Sequence, residues 1–291
     1  MVSLTLACEA DVESRHGADM ESVVLHGGRI YTAADDGKVK VWNKDLKLET
    51  EFQAHDYAVY HLLVLKDRLF TASIDATIKV WKLGTFELVT TLTGHQEPVR
   101  RLATNGDRLL SGDEKGDVII WNGDSLASEN RYEVVEEVWD MAAYDRFFFT
   151  VRDRGLSVTE VKRGETNQHT VVKSLQGRAP IYLSKEHLVY SEFGAGYGLH
   201  LHKNLPNDFP KITDLRGHSM IITCLGGNTV SGSERIASSG YDNKVNLWEL
   251  PEGKLLATYD ASVTPSCLAV ADDGAVYIGG PDGYLAKLVA A

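Results

Sequence analysis

The chain has 291 residues, of which 43% are hydrophobic and 24% charged, the composition of a folded globular protein rather than a disordered one. Lys and Arg number 30 against 41 Asp and Glu, a net charge of −11. An acidic surface repels phosphate backbones and anionic lipids, so neither nucleic acid nor membrane is an expected partner. Cys8, Cys224 and Cys267 are odd in number and widely spaced. That pattern suits neither a disulfide framework nor a zinc site and predicts a reducing compartment, the cytoplasm first and the nucleus second. The opening MVSLTLACEADVES has no basic segment, so a secretory signal is not expected. No stretch approaches the roughly 18 apolar residues that would span a bilayer.

In chain order, residues 2–8 come first, with Val2, Leu4, Leu6 and Cys8 alternating with small residues, the period of a strand. A repeat follows. Its clearest copies are GKVKVW (37–42), ATIKVW (76–81), GDVIIW (116–121) and NKVNLW (243–248). Degenerate copies are GLSVT (155–159) and GLHLH (198–202), and GYLAKL (283–288) is the last. The copies end at 42, 81, 121, 159, 202, 248 and 288, a period of roughly 40 residues that matches a four-stranded propeller blade. Short apolar runs such as VYHLLV (59–64), RLFTAS (68–73), RLLSG (108–112) and RIASS (235–239) precede the tryptophans, separated by Gly, Asp and Asn turns. The seventh unit has strands near Ser266–Val270, Val276–Gly279 and Tyr284–Leu288 and lacks a fourth. Placing residues 2–8 there as its outer strand closes the ring and removes an exposed edge. The expected fold is all-β, one seven-bladed β-propeller over residues 1–291.

The units resemble the WD40-repeat family. The resemblance implies a hydrogen-bonded set in each well-formed blade: a His after Gly, a Ser or Thr in the second strand, an Asp in the next turn, and the third-strand Trp. Blade 2 offers His55, Thr71, Asp75 and Trp81; blade 6 offers His218, Ser238, Asp242 and Trp248. Blade 3 has His95, Ser111 and Trp121, with Lys115 where the Asp is expected. Blade 1 has Thr32, Asp36 and Trp42 and no assigned histidine, and blades 4, 5 and 7 keep little of the pattern.

The recurring His, Ser and Asp could also be read as a hydrolase triad. They recur at repeat spacing with a Trp attached, whereas a catalytic set is needed once, so the reading is structural and no catalytic residue is assigned. The glycine-rich 194–198 precedes a strand rather than a helix, which makes it a hairpin turn and not a phosphate cradle. His200 and His202 share a strand face without a third ligand, so no metal is expected, and no cofactor either. The segment 226–239 adds four residues between the first two strands of blade 6 and reads as a serine-rich loop; 204–210 reads as a long connection.

The resemblance also places partner binding on one face, at positions flanking the start of each first strand and before the turn Asp. Carried over, this selects Tyr60, Arg100, Glu137, Trp139, Arg152 and Tyr241, types that dominate interface hot spots, with Glu137 favouring a basic residue on the ligand. Trp139 stands out as the one tryptophan outside the repeat. The expected function is a non-catalytic scaffold for a peptide or protein surface, acting as a monomer or as a subunit of a larger complex. The alternative is the substrate-reading propeller of a ubiquitin ligase, with Arg100, Arg152 and Arg178 gathered on a phosphate.

Overall fold

The computed structural model describes residues 3–134, 137–152, 154–161, 168–194, 196–205 and 208–290. Strand β1 (Leu4–Glu9) comes first. Four-stranded antiparallel sheets then follow in chain order. They are β2 (Met20–His26) to β3 (Arg29–Ala34), β4 (Lys38–Trp42) and β5 (Leu48–Gln53); then β6 (Val59–Leu65), β7 (Arg68–Ser73), β8 (Ile78–Lys82) and β9 (Leu88–Leu92). Next come β10 (Val99–Asn105), β11 (Arg108–Asp113), β12 (Asp117–Asn122) and β13 (Ser128–Glu133). The fourth sheet is β14 (Asp140–Tyr144), β15 (Phe147–Val151), β16 (Gly155–Val161) and β17 (His169–Gln176). The fifth is β18 (Arg178–Leu183), β19 (His187–Ser191), β20 (Leu199–Lys203) and β21 (Lys211–Leu215). The sixth is β22 (Ile222–Val230), β23 (Ser233–Gly240), β24 (Lys244–Leu250) and β25 (Lys254–Asp260). The last has β26 (Cys267–Val270), β27 (Val276–Gly279) and β28 (Leu285–Ala290), with β1 as its outer strand. This is an all-β, seven-bladed propeller arrangement, and among the described residues the helices are two single 3₁₀ turns, Val12–Ser14 and Pro281–Gly283.

By contact the chain forms two compact units, residues 1–59, 194–202 and 211–291 in one and residues 60–193 and 203–210 in the other. The first has apolar clusters around Met20, Trp42 and Tyr277 and around Leu247, Ile278 and Leu288. In the second, one cluster is built on Phe70, Val80 and Trp121, and another on Phe147, Phe149 and Tyr190. Phe209 joins the latter from the 204–210 connection and packs edge-on to Phe149 at 5.6 Å. Asn204 fixes the start of that connection, donating to Ser184 O at 2.7 Å. Pro206 and Asn207 lie outside the described residues.

A bulge recurs where each third strand meets its outer strand. It falls at Val41/Trp42, Val80/Trp81, Ile120/Trp121, Val158/Thr159, Leu201/His202 and Leu247/Trp248. In the last sheet β1 skips Ala7, so the same irregularity falls between Lys287 and Leu288. Thr159, His202 and Leu288, which carry no tryptophan, thus occupy the same structural place as the repeat tryptophans. The extra residues of the sixth sheet do not make a loop. They lengthen both arms of the first hairpin, β22 having nine residues and β23 eight where β10 and β11 have seven and six. The turn itself is Ser231-Gly232, both at positive φ. Two left-handed central residues match the twist of a two-residue hairpin, so added length goes into paired backbone.

Removing residues 1–9 should strip β28 of its partner and expose its unpaired backbone edge. Leu4 is buried, and one fully buried aliphatic side chain is worth roughly 1.5–3 kcal/mol. The expected outcome is a lower melting temperature and association of the shortened chain. Melting and size-exclusion profiles unchanged from the full chain would show that β1 is dispensable.

Candidate functional site

The polar residues singled out by the repeat lie inside the sheets. In the sixth, His218 Nδ1 is 3.0 Å from Asp242 Oδ1 and its Nε2 is 2.8 Å from Ser238 Oγ, which also accepts the Trp248 indole N–H at 2.9 Å. In the second, Thr71 Oγ1 accepts from Trp81 at 3.1 Å, Asp75 Oδ1 accepts from the backbone and hydroxyl of Thr77, and His55 is buried.

Two members do not follow from the repeat pattern. In the first sheet His16 supplies the imidazole, with Nδ1 at 3.0 Å from Asp36 and Nε2 at 2.8 Å from Thr32 Oγ1, which takes the Trp42 N–H at 2.9 Å. Its glycine follows it instead of preceding it, but it lies sixteen residues before its hydroxyl, as His95 does before Ser111. In the third sheet the carboxylate comes from Asp113, two positions before the exposed Lys115. Asp113 Oδ2 is 2.8 Å from His95 Nδ1, and Oδ1 accepts the backbone N–H groups of Lys115, Gly116 and Asp117 at 3.0, 3.0 and 2.8 Å. Ser111 completes the set, 2.7 Å from His95 Nε2 and accepting from Trp121 at 2.8 Å.

Each carboxylate accepts only, so the facing Nδ1 carries the proton and Nε2 is left to accept from the hydroxyl. Burial works to raise the pKa of Asp36, Asp113 and Asp242. The hydrogen bonds from His16, His95 and His218, with those from the backbone donors, outweigh it and hold all three below the ordinary 3.8. Thr32, Ser111 and Ser238 are fully buried. A hydroxyl sealed in the sheet and already engaged by an indole and an imidazole has no path to a substrate, which is the physical reason to read these groups as fastening.

His200 is drawn to Asp214, its Nδ1 2.6 Å from Oδ1, and stands edge-on to His202 at 6.3 Å. Among the described residues no group of three or more His, Cys, Asp or Glu side chains is placed to hold a metal ion. After the glycine-rich 194–198, in which Ala195 lies outside the described residues, the chain enters strand β20.

The surface residues selected from the sequence fall at the starts of first strands and in the turns that face them. Arg100 is the residue skipped when β10 pairs β11, Val99 facing Asp113 and Arg101 facing Gly112. A bulge of this kind re-aims the extra side chain. Arg100 stacks on the Tyr60 ring, its guanidinium carbon 4.3 Å from the centroid, and pairs with Glu114 at 2.8 Å. One sheet on, Trp139 is 38% exposed. Its indole N–H donates to Glu137 at 2.7 Å, its backbone N–H donates to Val151 O at 3.0 Å, and its carbonyl accepts from Arg101 Nε at 3.2 Å. Tyr60, Arg100, Glu137 and Trp139 are thereby connected through β6, β10 and β14. Arg152 is exposed just after β15, and Tyr241 is 57% exposed after β23 in the other compact unit.

Three segments match the family model of the WD40 repeat, described as "WD domain, G-beta repeat": residues 46–82, 86–122 and 209–249. Each match takes one outer strand and the first three strands of the next sheet, so the repeat in the sequence is offset from the sheet by one strand. Similar proteins include the ribosome biogenesis protein YTM1 of Eremothecium gossypii, 28% identical over 55% of this chain and 35% of its own length. The ribosome biogenesis protein WDR12 homolog of Chlamydomonas reinhardtii is 22% identical over 83% of this chain and 45% of its own. Apoptotic protease-activating factor 1 of Rattus norvegicus is 32% identical over 34% of this chain and 8% of its own. The chain thus spans less than half the length of each of these relatives.

Two substitutions separate Asp113 from Lys115. Removing a charged partner from a buried network costs about 3–5 kcal/mol, so Asp113→Ala should lower stability by that order. Lys115→Ala, at an exposed site, should stay within about 0.5 kcal/mol of wild type in chemical denaturation. Equal effects would reverse the assignment. The depressed carboxyl pKa values also set a pH dependence. A folded-state pKa below the unfolded one adds stability above the unfolded value, and that stability is lost as pH falls through the folded value. Thermal melts below the ordinary 3.8 should therefore fall more steeply for wild type than for Asp113→Asn; parallel curves would remove Asp113 from the acid response.

Proposed function

We propose that this chain, a WD40-repeat propeller, is a non-catalytic protein-interaction scaffold that holds a partner at Trp139 and its neighbours. The observation that carries the reading is the exposed indole of Trp139, fixed by Glu137 and by two backbone hydrogen bonds at the head of β14. A large aromatic on a rigid strand contributes contact area at low entropic cost, and such residues supply much of the energy of protein interfaces. Tyr60 and Arg100 extend the surface along neighbouring strands. The Glu137 carboxylate beside the ring favours a basic residue on the partner.

Two relatives are named as ribosome biogenesis proteins. The scaffold is accordingly proposed to serve an assembly of that kind as part of a larger complex, in the nucleus rather than the cytoplasm. The phosphate-reading alternative is less well supported, because Arg100 already engages Glu114 and the Tyr60 ring.

Pull-down from native lysate with wild type and Trp139→Ala tests the surface. Truncation should weaken the captured interaction by about 2 kcal/mol or more, close to thirtyfold, with the melting temperature nearly unchanged. A large loss of stability with binding intact would make Trp139 a packing residue and end the proposal. Fractionation of the same lysate on a density gradient tests the setting. Co-migration with ribosome precursors is expected, and its absence would leave the scaffold without that assignment.

A further inference from the structure

A cleft of about 200 Å³ opens far from Trp139 in sequence, inside the compact unit that contains residues 1–59 and 211–291. Its lining includes Leu25, Ile30 and Ala271, with Lys44, Asp272 and Asp273 also on its walls. The β2–β3 turn beside it is Gly27-Gly28, both at positive φ. A side chain at Gly27 would meet nothing within 4 Å, and one at Gly28 only the Lys44 stem at 3.7 Å, so the turn leaves the mouth open. Arg29 also lines the cleft, but Glu49 occupies it at 2.6 Å.

The charges that remain are opposite in sign. Lys44, Asp272 and Asp273 are exposed residues on the walls of the cleft. Asp273 Oδ1 caps Ala275 N–H at 3.0 Å. Asp272 and Asp273 both act on the Tyr277 phenol, whose pKa burial and then these and neighbouring negative groups push up to about 12. That phenol donates to Lys44 O at 3.3 Å, so the acidic wall and the lysine segment meet across one buried tyrosine.

We propose that this cleft binds a small aliphatic α-amino acid as its zwitterion, the ammonium at Asp272 and Asp273 and the carboxylate at Lys44. The aliphatic body would lie on Leu25, Ile30 and Ala271. The volume is below the roughly 300–1,000 Å³ of drug-sized sites and suits a molecule of amino-acid size. An ion of one sign would be attracted to one wall and repelled by the other, whereas a zwitterion is attracted to both.

Calorimetric titration of the full chain with L-leucine tests this, with N-acetyl-leucine and leucinamide as probes that each lack one charge. Millimolar L-leucine should bind, and each blocked probe should bind at least tenfold more weakly. Lys44→Ala and the double variant Asp272→Asn/Asp273→Asn should each weaken L-leucine by a similar factor. The Asn side chain at 273 can still cap Ala275, and unchanged melting curves would show that the variants are folded. Absence of L-leucine binding at millimolar concentration would overturn the proposal. So would leucinamide binding as tightly as L-leucine, which would make the cleft a cation site, or N-acetyl-leucine doing so, which would make it an anion site. Opposite signs for the lysine and aspartate variants would likewise overturn it.

Discussion

An indole N–H closed inside a β-sheet must find an acceptor, and in this protein the acceptor is a hydroxyl ten residues upstream. Trp42, Trp81, Trp121 and Trp248 each donate to such a hydroxyl at 2.8–3.1 Å. The proton of that hydroxyl then needs an acceptor, and a histidine held in turn by an aspartate provides it in the first, third and sixth sheets. Each group is acceptable in the interior only because the next is present, which is why a buried network of this kind specifies a single arrangement. The network also reaches outside the sheet proper, since the imidazole arrives on the segment that precedes the first strand. Fixing the tryptophan therefore fixes the approach of the chain.

A second set of bonds runs from one first strand to the next. His61 Nδ1 accepts the Leu102 N–H at 3.3 Å, Arg101 donates to Trp139 O, and Asp140 Oδ2 accepts the Ile181 N–H at 2.9 Å. Desolvation, and then the charge of Arg101, push the His61 pKa down to about 3, so the ring remains a neutral acceptor. In the other compact unit Thr223 Oγ1 donates to Pro265 O at 2.6 Å and Ser266 Oγ to Met20 O at 2.5 Å. The partners are backbone groups, and the side chains that meet them are of five kinds. What these positions must supply is one polar atom at the right place, and nothing in the repeat constrains how it is supplied.

That difference explains what could be read from the sequence. The seven units, their third-strand ends and the strand borrowed for the last sheet follow from period and from strand chemistry, because the bulge at each third-strand end falls at the position the period selects. His16 was hidden by the order of its glycine, although its sixteen-residue offset was present. Asp113 was hidden by a shift of two residues, since a turn can offer a carboxylate to the same imidazole from more than one position. The fourth sheet lacks the signature because Thr159 stands at the position that holds a tryptophan in the first, second, third and sixth sheets. Its hydroxyl is buried with no hydrogen-bond partner among the described residues, and Phe148 of the same sheet packs 5.8 Å from Tyr132 in a separate apolar cluster. The hairpin of the sixth sheet looked like a loop because serine and glycine are frequent in it, yet β pairing extends through both arms.

The surface was less legible for a related reason. Equivalent bulged positions hold Glu21 in the first sheet, Arg100 in the third and Thr223 in the sixth. The bulge settles where the side chain points, because it inserts an extra residue into the strand, and places no demand on its chemistry. Repetition therefore exposes the residues that hold each sheet and conceals those whose position alone is fixed. Trp139 was detectable because it broke the repeat while keeping a position in it. Its indole N–H donates to Glu137 at the surface. An indole at a third-strand end is closed inside its sheet, whereas at the head of β14 it is 38% exposed and held by a surface carboxylate.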